Sequence, residues 1–113
     1  MSLVYKILPR SDWDEALARG RFDGSAVDLE DGYIHFSTAA QAQETAARHF
    51  GGQPGLVVVA VAAADLGAVL RWEPSRGGQL FPHLYGPLDP ALAQSVTDAP
   101  LGADGAPQLG ALA

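Results

Sequence analysis

The chain has 113 residues, seven Lys and Arg against thirteen Asp and Glu, a formal net charge of −6 and no cysteine. That length fits one domain whose core needs no staple, and the missing thiols exclude disulfides, thiolate catalysis and zinc–thiolate sites. An acidic chain with so few cations is not a generic binder of long nucleic acid, which needs clustered Lys and Arg for its phosphates; a small anionic ligand near Arg71 and Arg76 stays open.

The opening "MSLVYKILPRSDW" has no basic stretch leading into a long apolar run, so no secretory signal is expected. Residues 3–9, "LVYKILP", are β-branched and aromatic up to Pro9 and predict a strand. Ser11 is placed to cap a short helix over residues 11–19. Trp13, Ala16 and Leu17 fall at helical spacing, acidic residues crowd the first turn and Gly20 ends it. Residues 21–31 carry Gly24 and several carboxylates and predict a connecting loop. Asp31-Gly32 signals a turn, and residues 33–36 a short strand. Thr38 and Gln41 have capping-box spacing for a helix over residues 39–50. "LVVVAV" reads as a fully buried central strand. The whole apolar run over residues 56–64 is far shorter than the about 20 residues that span a bilayer, so the expectation is a cytoplasmic protein without membrane association. Residues 68–73 predict another strand. "LFPHLYG" is extended, with Pro82 favouring an edge or an irregular strand. From residue 98 onward Pro, Gly and Ala dominate without a period, which predicts one domain over residues 1–97 and a disordered tail over 98–113.

The order strand, helix, strand, helix, then mostly strands predicts an α+β fold, two short helices with a bent, mostly antiparallel sheet. No dinucleotide-binding glycine fingerprint or phosphate-binding glycine loop is present, and no G-x-S-x-G elbow points to a hydrolase.

Two stretches carry the residues suited to chemistry. In "DGYIHFST", strand alternation puts Tyr33 and His35 on one face and Ile34 and Phe36 on the other. If Ile34 and Phe36 face the core, His35 faces a cleft. Ser37 and Thr38 then lead into a helix whose first N–H groups are unpaired, a place for a phosphate or ribose. The structural alternative is a histidine satisfied by a backbone carbonyl, with the hydroxyls only capping. In residues 73–86, Glu73, Ser75, Arg76, His83 and Tyr85 are packed around a glycine-bearing loop, the density of polar types that marks a site; the alternative is a hairpin with a solvated loop. His49, near a helix C-terminus, is read as structural. Asp28, Glu30 and Asp31 lack the spacing of a calcium loop and are read as solvated. A His35, His83 and Glu73 metal set is conceivable, but no local ligand spacing supports it and no metal is expected.

The phrases "YKILPRSDW", "DGYIHFST" and "RWEPSRGGQLFPHLYGPL" resemble a bacterial family, domain of unknown function 952, over the chain up to about residue 88. More distantly, the order strand, Trp-bearing helix, Ile-His-Phe strand is similar to the ADP-ribosyltransferase fold, in particular the NAD-dependent RNA 2′-phosphotransferases. Trp13 and Gly20 keep that family's spacing, His35 falls on the second His of its His-Ile-His-Phe motif, and "SRGGQLF" is similar to its Ser-x-Asn-Gly turn. Lys6 stands at its first strand histidine and Tyr33 at the first His of the later motif. The resemblance implies a twisted, split sheet binding NAD in its cleft, with His35 on the nicotinamide ribose and Lys6 among the ligand-binding positions. The basic groove for an RNA end is missing.

Two functions follow. The first is an ADP-ribosyltransferase-like enzyme taking NAD or an ADP-ribose-type ligand in a cleft lined by His35 and His83. His35 holds the ribose, Ser37 and Thr38 receive hydroxyls or pyrophosphate, Tyr33 or Tyr85 stacks on the base, and Arg76 pairs a phosphate. Glu73 or His83 is the acid–base partner, with Glu73 the carboxylate for oxocarbenium charge. The second is a binding module without chemistry that holds a nucleotide or a phosphorylated small molecule in the same cleft. What separates them is whether Glu73 shares a face with both histidines. A metal-dependent enzyme is the third reading.

Overall fold

The computed structural model describes residues 2–112, with the side chain of Arg76 outside that description. In chain order the elements are β1 (Leu3–Pro9), α1 (Arg10–Arg19), α2 (Ala26–Asp31), β2 (Ile34–His35), α3 (Ala39–His49), β3 (Leu56–Ala62), α4 (Ala63–Leu66), β4 (Leu70–Pro74), β5 (Leu80–Leu84) and β6 (Ala93–Ala99). The fold is α+β and every strand pairing is antiparallel. The strands form two three-stranded sheets, β1-β3-β6 and β2-β5-β4, rather than one bent sheet. They touch where the chain leaves β2: Tyr5 and Ser37 exchange two backbone hydrogen bonds of 2.8 Å.

β3 is buried along its whole length. As expected of a pleated strand covered on both faces, its alternate residues feed two clusters. Val57, Val59 and Val61 pack with Val4, Leu8, Trp13, Ile34, Phe36 and Leu84. Leu56, Val58 and Ala60 pack with Tyr5, Ile7, Ala42, Ala46 and Leu109. Thus α1 covers one face of the first sheet, through Trp13 and Ala16, and α3 the other, through Ala42 and Ala46. The Thr38–Gln41 capping box forms: Thr38 Oγ1 accepts from the Gln41 N–H, and Gln41 Oε1 accepts from the Thr38 N–H. Arg48 and His49 occupy the last turn of α3, where cations suit the dipole.

Four further expectations are corrected. α1 is not capped by Ser11; it starts at Arg10, one residue after extended Pro9, and no side chain caps it. The loop expected over residues 21–31 contains α2. This helix buries only Asp28 and exposes Val27 and Leu29, so no apolar period announces it. Pro82 lies in the central strand of its sheet. Its carbonyl, which accepts from the Phe36 N–H, points toward β2, so the N–H that proline lacks would point the same way, just where β2's ladder ends at His35. Finally, the boundary drawn at residue 98 falls inside β6, which pairs with β3 as far as Ala99. Beyond it the chain turns through a Leu101–Pro107 bridge. Pro107 O and Leu109 N–H bond the Gln43 side chain, and Leu109 is buried in the second cluster. Pro and Gly shape the turns of this segment, which is why it shows no period. No helix among the described residues is long and apolar enough to cross a membrane.

Candidate functional site

The second sheet presents the candidate residues because of its register. His35 on β2 lies directly opposite His83 on β5, and Arg71 on β4 lies opposite His83 from the other side. With Ile34 and Leu84 committed to the core, alternation turns both imidazoles to the other face. Their ring centroids are 5.5 Å apart, edge to face. Tyr33, delivered by the turn at Gly32, stands over both, 4.1 Å from the His83 ring and 4.6 Å from that of His35. Tyr85 is 5.2 Å from Tyr33 and carries the Arg71 guanidinium 5.0 Å from its ring centre.

Each histidine is held by carboxylates. His83 Nδ1 is 2.8 Å from Glu73 Oε1, which also accepts the Tyr85 hydroxyl at 2.7 Å. The Tyr85 bond, then the His83 bond, hold the Glu73 carboxyl below the usual carboxylate range; the same bond pushes the Tyr85 phenol up. Partial burial, helped by Asp31 and Glu73, pushes the Tyr33 phenol up too.

His35 Nδ1 is 2.6 Å from Asp28 Oδ1, and its Nε2 is 3.0 Å from Asp31 Oδ2. Asp28 is the buried hub of this side. It accepts the backbone N–H groups of Ser25 and His35 and lies 2.8 Å from the Lys6 ammonium, which β1 carries into the core. Burial pushes the Asp28 carboxyl up, but the bonds from His35, Lys6 and Ser25 together outweigh it and hold the group at about 2. Burial pulls the Lys6 ammonium down, opposed by the charge and hydrogen bond of Asp28.

Tyr33, His35, Glu73, His83 and Tyr85 are therefore together on one face. Lys6 sits behind them and reaches His35 only through Asp28. Ser37 and Thr38 are occupied elsewhere: the Ser37 hydroxyl donates to Thr45 Oγ1 at 3.2 Å, and Thr38 caps α3. Arg76, expected to pair a phosphate, has its side chain outside the described residues. Asp28 and Asp31, read from sequence as solvated, and Arg71, considered only as part of a patch, belong to the cluster. The signal for Asp28 was Lys6 itself, since an ammonium in an apolar strand demands a buried carboxylate. Among the described residues no three His, Cys, Asp or Glu side chains are grouped to hold a metal; Glu73 is bonded to His83 Nδ1 rather than converging with it. A shallow depression of about 320 Å³ opens beside the cluster, with Tyr33, Asp28, Gly32 and Pro87 in its wall and neither histidine lining it.

The architecture is thus that of an α+β protein with two antiparallel sheets, one bearing a cluster of carboxylate-held histidines and tyrosines. The chain belongs to the family described as protein of unknown function DUF952, whose model matches residues 7–96. Among solved structures it is similar to the crystal structure of protein CC0527 from Caulobacter crescentus, with 59% identity, 96% of each chain covered and a TM-score of 0.94. It is similar also to a V27M/L66M double mutant of CC0527, with 57% identity, 96% of each chain covered and a TM-score of 0.94. The solution NMR structure of CC0527 gives 59% identity, a TM-score of 0.87 and coverage of 97% of this chain and 95% of that one. No curated protein matches the chain.

Proposed function

We propose that this face of β2, β5 and β4 is a small-molecule site at which carboxylate-held histidines do acid–base work on a ligand of the NAD or ADP-ribose type. The observation that carries the reading is the position of Glu73, 2.8 Å from His83 Nδ1, on a face that also holds His35 5.5 Å from His83. A pure binding cleft has no need of that carboxylate. In the reaction the C–N glycosidic bond of NAD breaks and its electron pair stays with nicotinamide, which leaves neutral. The incoming hydroxyl bonds the anomeric carbon, and its proton passes to a histidine. Glu73 stabilises positive charge developing on the sugar. Tyr33 and Tyr85 offer ring faces for stacking, and Arg71 offers a bidentate donor to a phosphate. The ADP-ribosyltransferase-like resemblance supplies the ligand class; the cluster supplies the chemistry.

A second reading, a binding module without turnover, is favoured by one observation: His83 is only 4% exposed, beneath Tyr33. Thermal-shift titration with NAD, ADP-ribose and AMP, combined with chromatography for released nicotinamide, tests both. A ligand at about 100 times its Kd stabilises by about 2.7 kcal/mol. His35→Ala is expected to abolish that stabilisation, and Glu73→Gln to abolish nicotinamide release while leaving binding. Binding without release in the wild type supports the module. No stabilisation by any of the three ligands overturns the site.

A further inference from the structure

We propose that Asp28, anchored by Lys6, is a positioning residue that commits Nδ1 of His35 and so makes Nε2 the proton-exchanging atom of the site. The proposal rests on the reading of this face as an acid–base site, but the tautomer it requires is a property of the free protein.

The argument is one of hydrogen-bond capacity. A neutral imidazole has one N–H, and which nitrogen carries it is set by the bond that nitrogen makes. Both ring nitrogens of His35 face carboxylates, Nδ1 to Asp28 Oδ1 at 2.6 Å and Nε2 to Asp31 Oδ2 at 3.0 Å. The two carboxylates are not equivalent. The Asp28 side chain is 1% exposed and that of Asp31 is 42% exposed. Asp31, on the last turn of α2, can swing into water. Asp28 cannot move: the Ser25 N–H, the His35 N–H and Lys6 Nζ all hold it. With the proton on Nε2, the Nδ1 lone pair would abut a buried carboxylate oxygen, two acceptors with nothing between them and little solvent to screen them. With the proton on Nδ1, the only conflict is at Nε2, where Asp31 rotates away or a ligand donor enters. Lys6 contributes by placing its ammonium against both oxygens of Asp28, 3.0 Å from Oδ1 and 2.8 Å from Oδ2, so the carboxylate is kept ionised, and therefore accepting, inside the core.

His83 provides an internal comparison. Its Nδ1 is committed to Glu73, but that carboxylate's side chain is 34% exposed against 1% for Asp28. The groups facing His35 are Asp28, Asp31, Tyr33 and His83, with Lys6 one bond further back.

The test is the imidazole ¹⁵N spectrum of the uniformly labelled full chain, followed to a pH at which the His35 ring is neutral. The expected result is His35 protonated at Nδ1 and bare at Nε2. Asp31→Asn should leave that pattern unchanged. The Lys6→Met/Asp28→Ala double variant, which removes anchor and partner together, should move the His35 proton to Nε2 and leave His83 as it was. A wild-type His35 protonated at Nε2, or a mixture of the two forms, overturns the proposal, as does Nδ1 protonation that survives in the double variant. If the double variant fails to fold, the wild-type and Asp31→Asn spectra still decide. Titrating the wild-type sample with NAD and ADP-ribose separates this from the functional reading: unmoved His35 signals with the Nδ1 tautomer intact sink only the ligand, and binding with the wrong tautomer sinks only the positioning role.

Discussion

Removing one partner of the Lys6–Asp28 pair should cost very different amounts depending on which partner goes. Lys6→Met leaves the Asp28 carboxylate with three donors, His35 Nδ1 and the N–H groups of Ser25 and His35, and should cost about 1–3 kcal/mol, the range for disturbing a buried polar group that keeps other bonds. Asp28→Asn leaves the Lys6 ammonium, 4% exposed, beside a neutral amide inside the core, and should cost about 3–5 kcal/mol. That is a large share of the roughly 5–15 kcal/mol that holds a domain together. The Lys6→Met/Asp28→Asn double variant removes the stranded charge and should be more stable than Asp28→Asn alone. Urea unfolding at neutral pH measures all three. The same carboxylate sets the acid limb. Its folded pKa of about 2 lies below the ordinary value of 3.8, so its contribution is fully present above the unfolded value and is lost as pH falls through the folded one. A gap of roughly two pH units, at about 1.4 kcal/mol each, makes that contribution about 2–3 kcal/mol. It should fade between about pH 5 and 2, and the Asp28→Asn variant should lack it. An Asp28→Asn loss smaller than that of Lys6→Met, or strictly additive losses in the double variant, would refute the reasoning.

Leu109→Ala should destabilise by about 2–4 kcal/mol through the cavity it leaves in the second cluster, and a chain truncated after Ala99 should lose more; unchanged urea midpoints would show that the C-terminal segment does not pack on the sheet. Glu73→Gln should bring the Tyr85 phenol down toward its ordinary range, because the charged acceptor that raises it becomes a neutral amide; an ultraviolet difference titration that does not move would deny that coupling. Thr38→Ala should cost about 1 kcal/mol of stability for the lost cap of α3, with ligand-induced stabilisation unaffected because the Thr38 hydroxyl is spent on the Gln41 N–H; a loss of ligand response would move the site toward the start of that helix.

What could be read from the sequence was local. The alternation in "YIHF" depends only on the pleat, and the Thr38–Gln41 spacing only on the first turn of a helix, so both were legible. The buried strand "LVVVAV" was legible from its unbroken apolarity. α2 was marked only by the Ser25 and Asp28 spacing at its start and Gly32 at its end; with Val27 and Leu29 exposed it shows no apolar period, and Asp28 also bonds Lys6 and His35, residues from other elements. β6 was missed because "AQSVTDA" is an edge strand with most of its residues exposed, so packing imposes no apolar alternation on it. That His35 and His83 share a face was expected from their residue types and from alternation; the register that sets them directly opposite one another is contained in no local pattern. An ammonium at Lys6 in an apolar strand requires a counter-ion, but nothing near it in sequence names Asp28 as that partner.

The central place of β3 also bears on how the chain is made. Its neighbours come from opposite ends of the sequence, β1 from residues 3–9 and β6 from residues 93–99. Until the last of these leaves the ribosome, one edge of "LVVVAVA" has no partner, and a ribbon of uncharged, β-branched residues stands open to whatever strand it meets first. Such segments pair readily between chains. Nascent chains stalled before residue 93 should therefore be the aggregation-prone species of this protein, and release of the C-terminal strand should mark its commitment to the native sheet.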